Sequence, residues 1–349
     1  MSAPALMIDR GIPSRLEAVP ETARTLEEQG YDGCWTGEIA HDPFLPMLLA
    51  AEHTSRLQIG TSIAVAFARS PMTVANLGWD LQAYSHGRFI LGLGSQIRPH
   101  IERRFSMPWS QPVRRMREYI AALQAIWQSW RDGTRLDFAG EFYTHTLMTP
   151  MFTPEPHDHG TPPVYLAAVG QAMTEMTGEV ADGLLAHAFT TRRYLDEVTL
   201  PALARGAERA AREPDTIAVS CPVFVVTGQD EVQMSIAATA TRNQLAFYAS
   251  TPAYRPVLDL HGWGELQPEL HRLSKAGRWD DMGRLIDDEM LDAFAVVAPP
   301  DEVAAKLRRR CDGAITRVLP AFPSDLPESG VAAILRDVRD LSPVREETP

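Results

Sequence analysis

Residues Leu57–Gln96 read LQIGTSIAVAFARSPMTVANLGWDLQAYSHGRFILGLGSQ, and this stretch decides the fold. Its first eleven residues are apolar and carry β-branched Ile59, Ile63 and Val65, which suits a buried strand. Ser70-Pro71 is a helix-opening pair, and Val74, Leu77, Leu81 and Tyr84 repeat at helical spacing behind it. Arg88–Gly94 returns to a short apolar run closed by Gly92 and Gly94. Strand, helix and strand in this length make one βαβ unit.

Working outward, the same alternation continues in both directions. Strands are expected at Ala5–Ile8, Gly33–Thr36, Val164–Ala168, Gly183–Ala186, Ile217–Val226 and Ile315–Leu319. Helices are expected at Arg15–Gln29, from Asp42-Pro43 onward, and at Pro112–Trp130, Ala172–Val180, Thr191–Arg212, Glu231–Tyr248 and Val331–Leu341, with one more capped by Asp301. Two stretches break the rhythm. Residues 131–163 hold a hairpin around Ala139-Gly140, and residues 251–300 hold helical pieces near Leu266–Ser274 and Met282–Phe294.

Eight strands, each followed by helix, predict an α/β (β/α)8 TIM barrel, one domain over residues 1–349, with insertions after strands 4 and 7. A doubly wound sheet is the competitor. It would carry GxGxxG after its first strand, but that strand ends Asp9-Arg10-Gly11, and Gly92-Leu93-Gly94 lacks the third glycine.

The formal net charge of −12 argues against a nucleic-acid surface and gives no support for binding anionic membranes. No apolar run is long enough to span a bilayer, and the opening MSAPALMIDRG lacks a secretory core. A cytoplasmic protein is expected. Cys34, Cys221 and Cys311 are too few and too scattered for a disulfide framework or zinc knuckle, so burial is expected. No metal site is expected: His157-Asp158-His159 sits in a Pro- and Gly-rich loop without an evident third ligand and reads as solvated.

Barrel chemistry sits at the C-terminal strand ends. Here those ends are Asp9, Glu38 with His41, Ser62–Phe67, Gly94–His100, Ala168–Gly170, His187–Arg192, Thr227 and Pro320–Pro323. Glu38 and His41 are the candidate acid–base pair, able to orient a polar ring or move a proton. The Ser62-Ile63 end offers only backbone and an apolar wall. Gly94-Ser95-Gln96 leads into Arg98, His100, Arg103 and Arg104, a basic cluster suited to a phosphate or carboxylate tail. Val169-Gly170 and Thr190-Thr191-Arg192 open helices whose first amides suit an anion. His261 lies in the second insertion, within reach of the mouth from above.

These strand ends resemble the luciferase-like monooxygenase superfamily, in particular its branch of deazaflavin (coenzyme F420)-dependent oxidoreductases. The resemblance is carried by AxxLEEQGYDGCWTGE at Ala23–Glu38, IGTSIAVAFARSPMTVA at Ile59–Ala75, SHGRFILGLGSQ at Ser85–Gln96, VYLAAVG at Val164–Gly170 and GEVADGLLAH at Gly178–His187. It implies a barrel with a deazaflavin, or alternatively FMN, across the strand ends. It also implies a non-prolyl cis peptide at Ser62-Ile63 as a prop under the ring. Ring contacts would come from Glu38, Ser62, Ile63 and Val65, and phosphate contacts from Val169, Gly170, Thr190 and Arg192, with Gly94 and Ser95 beside the ring. A small-molecule substrate and a homodimer are further implications.

The chain departs from the sugar-phosphate dehydrogenases of that family. Their Asp-His pair after strand two is Glu38-Ile39 here, their Glu after strand four is Ile97, and the first Gly of their phosphate-binding pair is Val169. Sugar-phosphate oxidation is disfavoured. The expected activity is hydride transfer between coenzyme F420 and a small organic substrate, with His41 as acid/base, Glu38 orienting it or the ring, and an apolar lid of Phe142, Tyr143, Trp263 and Phe294. The alternatives are an FMN-dependent monooxygenase and a cofactor-binding barrel without turnover.

Overall fold

The computed structural model describes residues 6–341. Parallel strands buried on both faces should read as near-continuous apolar runs, and this is how the ring is built. Its members are β1 (Met7–Gly11), β2 (Gly33–Thr36), β3 (Gln58–Thr61), β4 (Phe89–Gly94), β5 (Val164–Ala167), β6 (Gly183–Leu185), β7 (Ala218–Val226) and β8 (Arg317–Ala321). Each pairs in parallel with the next, and β8 pairs with β1, closing a (β/α)8 barrel.

The helices around it are α1 (Val19–Glu28), α2 (Phe44–His53), α3 (Pro71–Tyr84), α4 (Pro112–Asp132), α5 (Gln171–Val180), α6 (Leu200–Arg209), α7 (Glu231–Ala249), α8 (Pro300–Cys311) and α9 (Glu328–Asp340). Ser70 caps α3 as expected, its hydroxyl accepting from the Thr73 amide at 3.2 Å. The α4 stripe of Met116, Ile120, Leu123, Trp127 and Trp130 is buried in the main core, and all three cysteines are buried. Among the described residues no helix is long and apolar enough to cross a membrane.

Several boundaries differ from expectation, each for a local reason. β1 begins later and runs to Gly11; Ala5 lies outside the described residues. Asp9 is therefore inside the barrel, not at a strand end. Its two carboxylate oxygens accept from Arg317 Nε and Nη2 at 2.8 Å each, and Trp35 Nε1 donates to it at 2.9 Å. The apolar run at Leu57–Phe67 is not one strand: after Thr61 the chain breaks, rejoins the sheet at Ala64–Val65 against Leu93-Gly94, and enters a 3-10 turn at Ala66–Ala68. The long helix expected over Thr191–Arg212 is split. A wide π turn at Leu195–Thr199 comes just before Pro201, which cannot donate to the preceding turn. Asp301 lies in the first turn of α8 rather than at its cap.

The first insertion forms its hairpin, Phe138–Ala139 against Thr144–His145. Its turn is held from α4 by Glu118, whose carboxylate accepts from the amides of Glu141, Phe142 and Tyr143 at 2.7–2.9 Å. The second insertion is mostly helical, at Arg255–Leu260, Leu266–Lys275, Trp279–Gly283 and Asp288–Phe294. It has its own buried cluster, with Phe189, Leu245, Leu258, Leu270, Met290 and Phe294 among its members. It ends in an unexpected strand, Ala295–Val297, paired in parallel with Phe224–Val226 at the upper end of β7. Three residues are too short a run to stand out by alternation.

Candidate functional site

The barrel interior is closed by Trp35, Ile90, Tyr165 and Leu185, one from each of four strands. Room for the large rings comes from neighbouring glycines: a Cβ at Gly60 would enter the Trp35 ring, and one at Gly183 would lie 2.7 Å from the Tyr165 ring. Ile63 and Leu319 pack on this cluster. Ile63 also lies over Gly94, where a Cβ would come within 2.9 Å of Ile63 Cδ1.

The Ser62-Ile63 peptide is cis. Ser62 N donates to the Thr36 carbonyl at 2.7 Å, and the Glu38 amide donates to the Ile63 carbonyl at 3.0 Å. Glu38 then grips the far side of the same bulge, because its Oε2 accepts from Val65 N at 2.8 Å. The same oxygen accepts from Arg69 Nη1 at 2.6 Å, and Arg69 Nη2 reaches Asp42 at 2.8 Å. Burial alone would lower the Arg69 pKa, but Glu38 and Asp42 outweigh it and hold the guanidinium above its ordinary value. Glu38 is thus a buried clamp, not a free base. Val65 meets it through the backbone amide, while the Val65 side chain is fully buried.

His41 is exposed, and no hydrogen bond joins it to Glu38 among the described residues. The segment that carries it is tied across the mouth: Arg104 donates to the Ile39 carbonyl. Ile39 and Ile97 are 80% and 55% exposed, apolar residues at the ends of β2 and β4. Ser95 Oγ donates to the Gln96 carbonyl at 3.2 Å. Of the basic cluster, Arg98 is engaged with Glu102.

On the opposite rim, Gly170 caps α5, and the space a Cβ would fill there is open. The Met173 and Thr174 amides turn back to the Gly170 carbonyl, so the helix's first amides face outward beside exposed Val169. Thr190 is buried with its Oγ1 unpartnered among the described residues. An open helix start past β5 and an orphaned hydroxyl past its neighbour β6 are both features that suit a phosphate. Arg192 is engaged elsewhere: it pairs with Asp196 at 2.7 Å and donates to the carbonyls of Arg310 and Asp312.

His261 does reach the strand-six loop, with its Nε2 2.8 Å from Thr191 Oγ1 and its ring stacked on Trp263. Phe294 is no lid residue: it is fully buried and stacks on Phe189 at 4.4 Å. His157 is not free in solvent either, since it packs on Trp79 at 4.2 Å. Sequence reasoning left His187 without a role. It lies half-buried just past β6, against Tyr248 and Tyr254.

Residues 3–317 match the family model for luciferase-like monooxygenases. The chain belongs to that family. It is 62% identical over 334 residues to Rv1360 of Mycobacterium tuberculosis, an uncharacterised protein, with 96% of this chain and 98% of the relative covered. It is 26% identical over 312 residues to the 5,10-methylenetetrahydromethanopterin reductase of Methanolobus tindarius, covering 86% and 89% of the two chains. The coenzyme F420-dependent tetrahydromethanopterin reductase of Methanopyrus kandleri has the same fold, with a TM-score of 0.76 at 21% identity over 95% of this chain and 97% of that one.

Proposed function

We propose that this member of the family is an oxidoreductase that uses coenzyme F420 and a small organic substrate. The observation that carries the reading is the shelf at Ser62–Val65. Its backbone is gripped on both sides by Glu38, and its Ile63 side chain offers a flat apolar support over the closed barrel interior. A deazaflavin ring suits such a surface, and the Gly170–Thr190 rim suits the phosphate of its tail. A relative described as a coenzyme F420-dependent oxidoreductase, Rv3520c of Mycobacterium tuberculosis, 26% identical over 308 residues, favours deazaflavin over FMN.

When bound, the deazaflavin supplies a carrier for two electrons and a proton equivalent as hydride. The chain's own residues do the rest. Ser62, Ile63 and Val65, the last held by its amide's bond to Glu38, would support the ring, with Gly94 and Ser95 beside them. Val169, Gly170 and Thr190 take the phosphate. Arg192 braces this rim, through its bonds to the end of α8, rather than touching the anion. Glu38 positions the shelf, and His41, exposed at the rim, is the proposed acid/base.

The test is a fluorescence titration of the protein with F420 and with FMN. Binding of F420 and at least tenfold weaker binding of FMN is expected; tight FMN binding with none for F420 sinks the proposal. Replacing His41 by Ala should slow turnover without changing F420 affinity. A homodimer belongs to the same reading. Leu45 and Leu48, exposed on α2, offer it an apolar face, and sedimentation velocity reads the state.

A further inference from the structure

Side chains on a strand alternate between faces, and β6 shows which face His187 inherits. Leu185 packs in the barrel interior beside Trp35, Ile90 and Tyr165, whereas Leu184 packs outward against Leu203 and Ala207 of α6. The ladder continues one residue past the strand, because Ala186 N still donates to the Ser220 carbonyl at 2.8 Å. His187, two positions beyond Leu185, therefore falls on the interior side of the mouth.

Its ring is held on two sides. Tyr254 stacks on it, with centroids 4.5 Å apart and planes at 20°, and Tyr248 meets it edge-on at 4.7 Å and 80°. The Phe189 amide donates to His187 Nδ1 at 3.0 Å. That contact fixes the tautomer: Nδ1 accepts, so Nε2 carries the proton. Among the described residues Nε2–H has no acceptor. Burial pushes the ring's pKa down to about 4, so it is neutral at physiological pH. Burial likewise raises the pKa of both tyrosines, so they too are uncharged. Two hydroxyls past neighbouring strands, Thr190 Oγ1 and Thr227 Oγ1, are buried without partners among the described residues.

A fixed neutral donor between aromatic walls, with no charged group in contact among the described residues, selects for a neutral, planar acceptor. We propose that His187, Tyr248 and Tyr254 form the substrate-recognition site, and that the substrate is an uncharged aromatic or conjugated carbonyl compound whose oxygen accepts from Nε2–H. This deepens the proposed F420-dependent function and rests on it for the word substrate. His187 is a binding residue here. At neutral pH it donates a hydrogen bond and does not release its proton.

The test uses acetophenone as the neutral probe and 4-acetylbenzoate as its anionic counterpart, with saturation-transfer NMR on the full chain. Acetophenone should bind the wild type at millimolar concentration or below, and 4-acetylbenzoate should bind at least tenfold more weakly. His187→Phe keeps the aromatic wall and removes the donor, and should weaken acetophenone about tenfold. His187→Gln restores a donor and should recover most of that loss. Nitrogen-15 NMR at pH 7 should show the Nε2–H tautomer at His187, perturbed by acetophenone.

Equal binding by the wild type and His187→Phe overturns the proposal, as does a Nδ1–H tautomer, preference for the anion, or no acetophenone binding. Circular dichroism on each variant separates loss of binding from loss of fold. F420 is titrated on the same samples. If F420 does not bind while acetophenone binding still depends on His187, the proposed function fails and this site stands.

Discussion

On the β3 side of the mouth the surface is backbone; on the β6 side it is side chain. The shelf at Ser62–Val65 is shaped by main-chain bonds to Thr36 and Glu38 and by glycines that let strands approach. Across from it, His187, Tyr248 and Tyr254 form a wall of rings, two of them from α7 and the turn that follows it. A backbone surface tolerates little substitution beneath it, because neighbouring atoms cannot move independently. A wall of side chains can be re-cut one residue at a time. On the proposed function, the difference puts the common requirement, a flat cofactor ring, on the first side, and the individual one, a particular substrate, on the second.

The hardest blow to this contrast would be a tolerant shelf. A Cβ at Gly92 would overlap the Thr61 carbonyl oxygen and lie 2.9 Å from Leu185 Cδ1. Gly92→Ala should cost about 4 kcal/mol of stability and abolish F420 binding. Denaturant unfolding reads the first effect, and a loss below about 1 kcal/mol would mean that the shelf can adjust.

The aromatic side should declare itself through pH. Burial holds the His187 pKa at about 4 in the folded chain, against the ordinary imidazole value of 6.5. The unfolded chain therefore binds the proton more readily between those values, and stability falls as pH drops from about 6.5 through about 4. The loss attributable to this ring reaches about 3 kcal/mol, and His187→Gln should remove it from the pH profile. An unchanged profile in the variant would show that the ring is less buried than its tyrosine neighbours indicate.

Glu38→Ala attacks the clamp rather than the packing. It leaves Val65 N and Arg69 without their shared acceptor, and should cost about 2 kcal/mol and weaken F420 binding more than acetophenone binding. Equal weakening of both ligands would erase the division between the two sides. At the low end, Arg193→Ala removes an exposed pair with Glu197 beside the aromatic side. A shift within about 0.5 kcal/mol, with both ligands unaffected, is expected from thermal melts.

The barrel was legible because its strands are apolar runs separated by capped, periodic helices, and all eight emerged where such runs stood. The break after Thr61 was not legible from pattern, since apolar residues continue to Phe67; only the resemblance pointed to Ser62-Ile63. The clamp was half visible. Glu38 stood at a strand end, but its partner is the amide of Val65, and spacing along the chain does not reveal a contact made by backbone folded elsewhere. For that reason the expected Glu38–His41 pairing gave way to Glu38–Arg69. His187 left a usable signal in GLLAH, where a polar ring follows an interior leucine by two positions, although its tyrosine neighbours come from past residue 240.

The little strand at Ala295–Val297 has a consequence for how such a protein can be rebuilt. It stitches the end of the second insertion to β7, Ala298 N donates to the Val226 carbonyl at 3.1 Å, and Arg310 clasps the carbonyls of Ala293 and Phe294. The insertion's other end follows α7 directly, through the turn at Ser250-Thr251. Both seams adjoin regular elements, so the segment between Ala249 and Ala295 behaves as a cassette: it carries Tyr254 and its own share of an apolar interior that is completed by Phe189 and by Leu245 of α7.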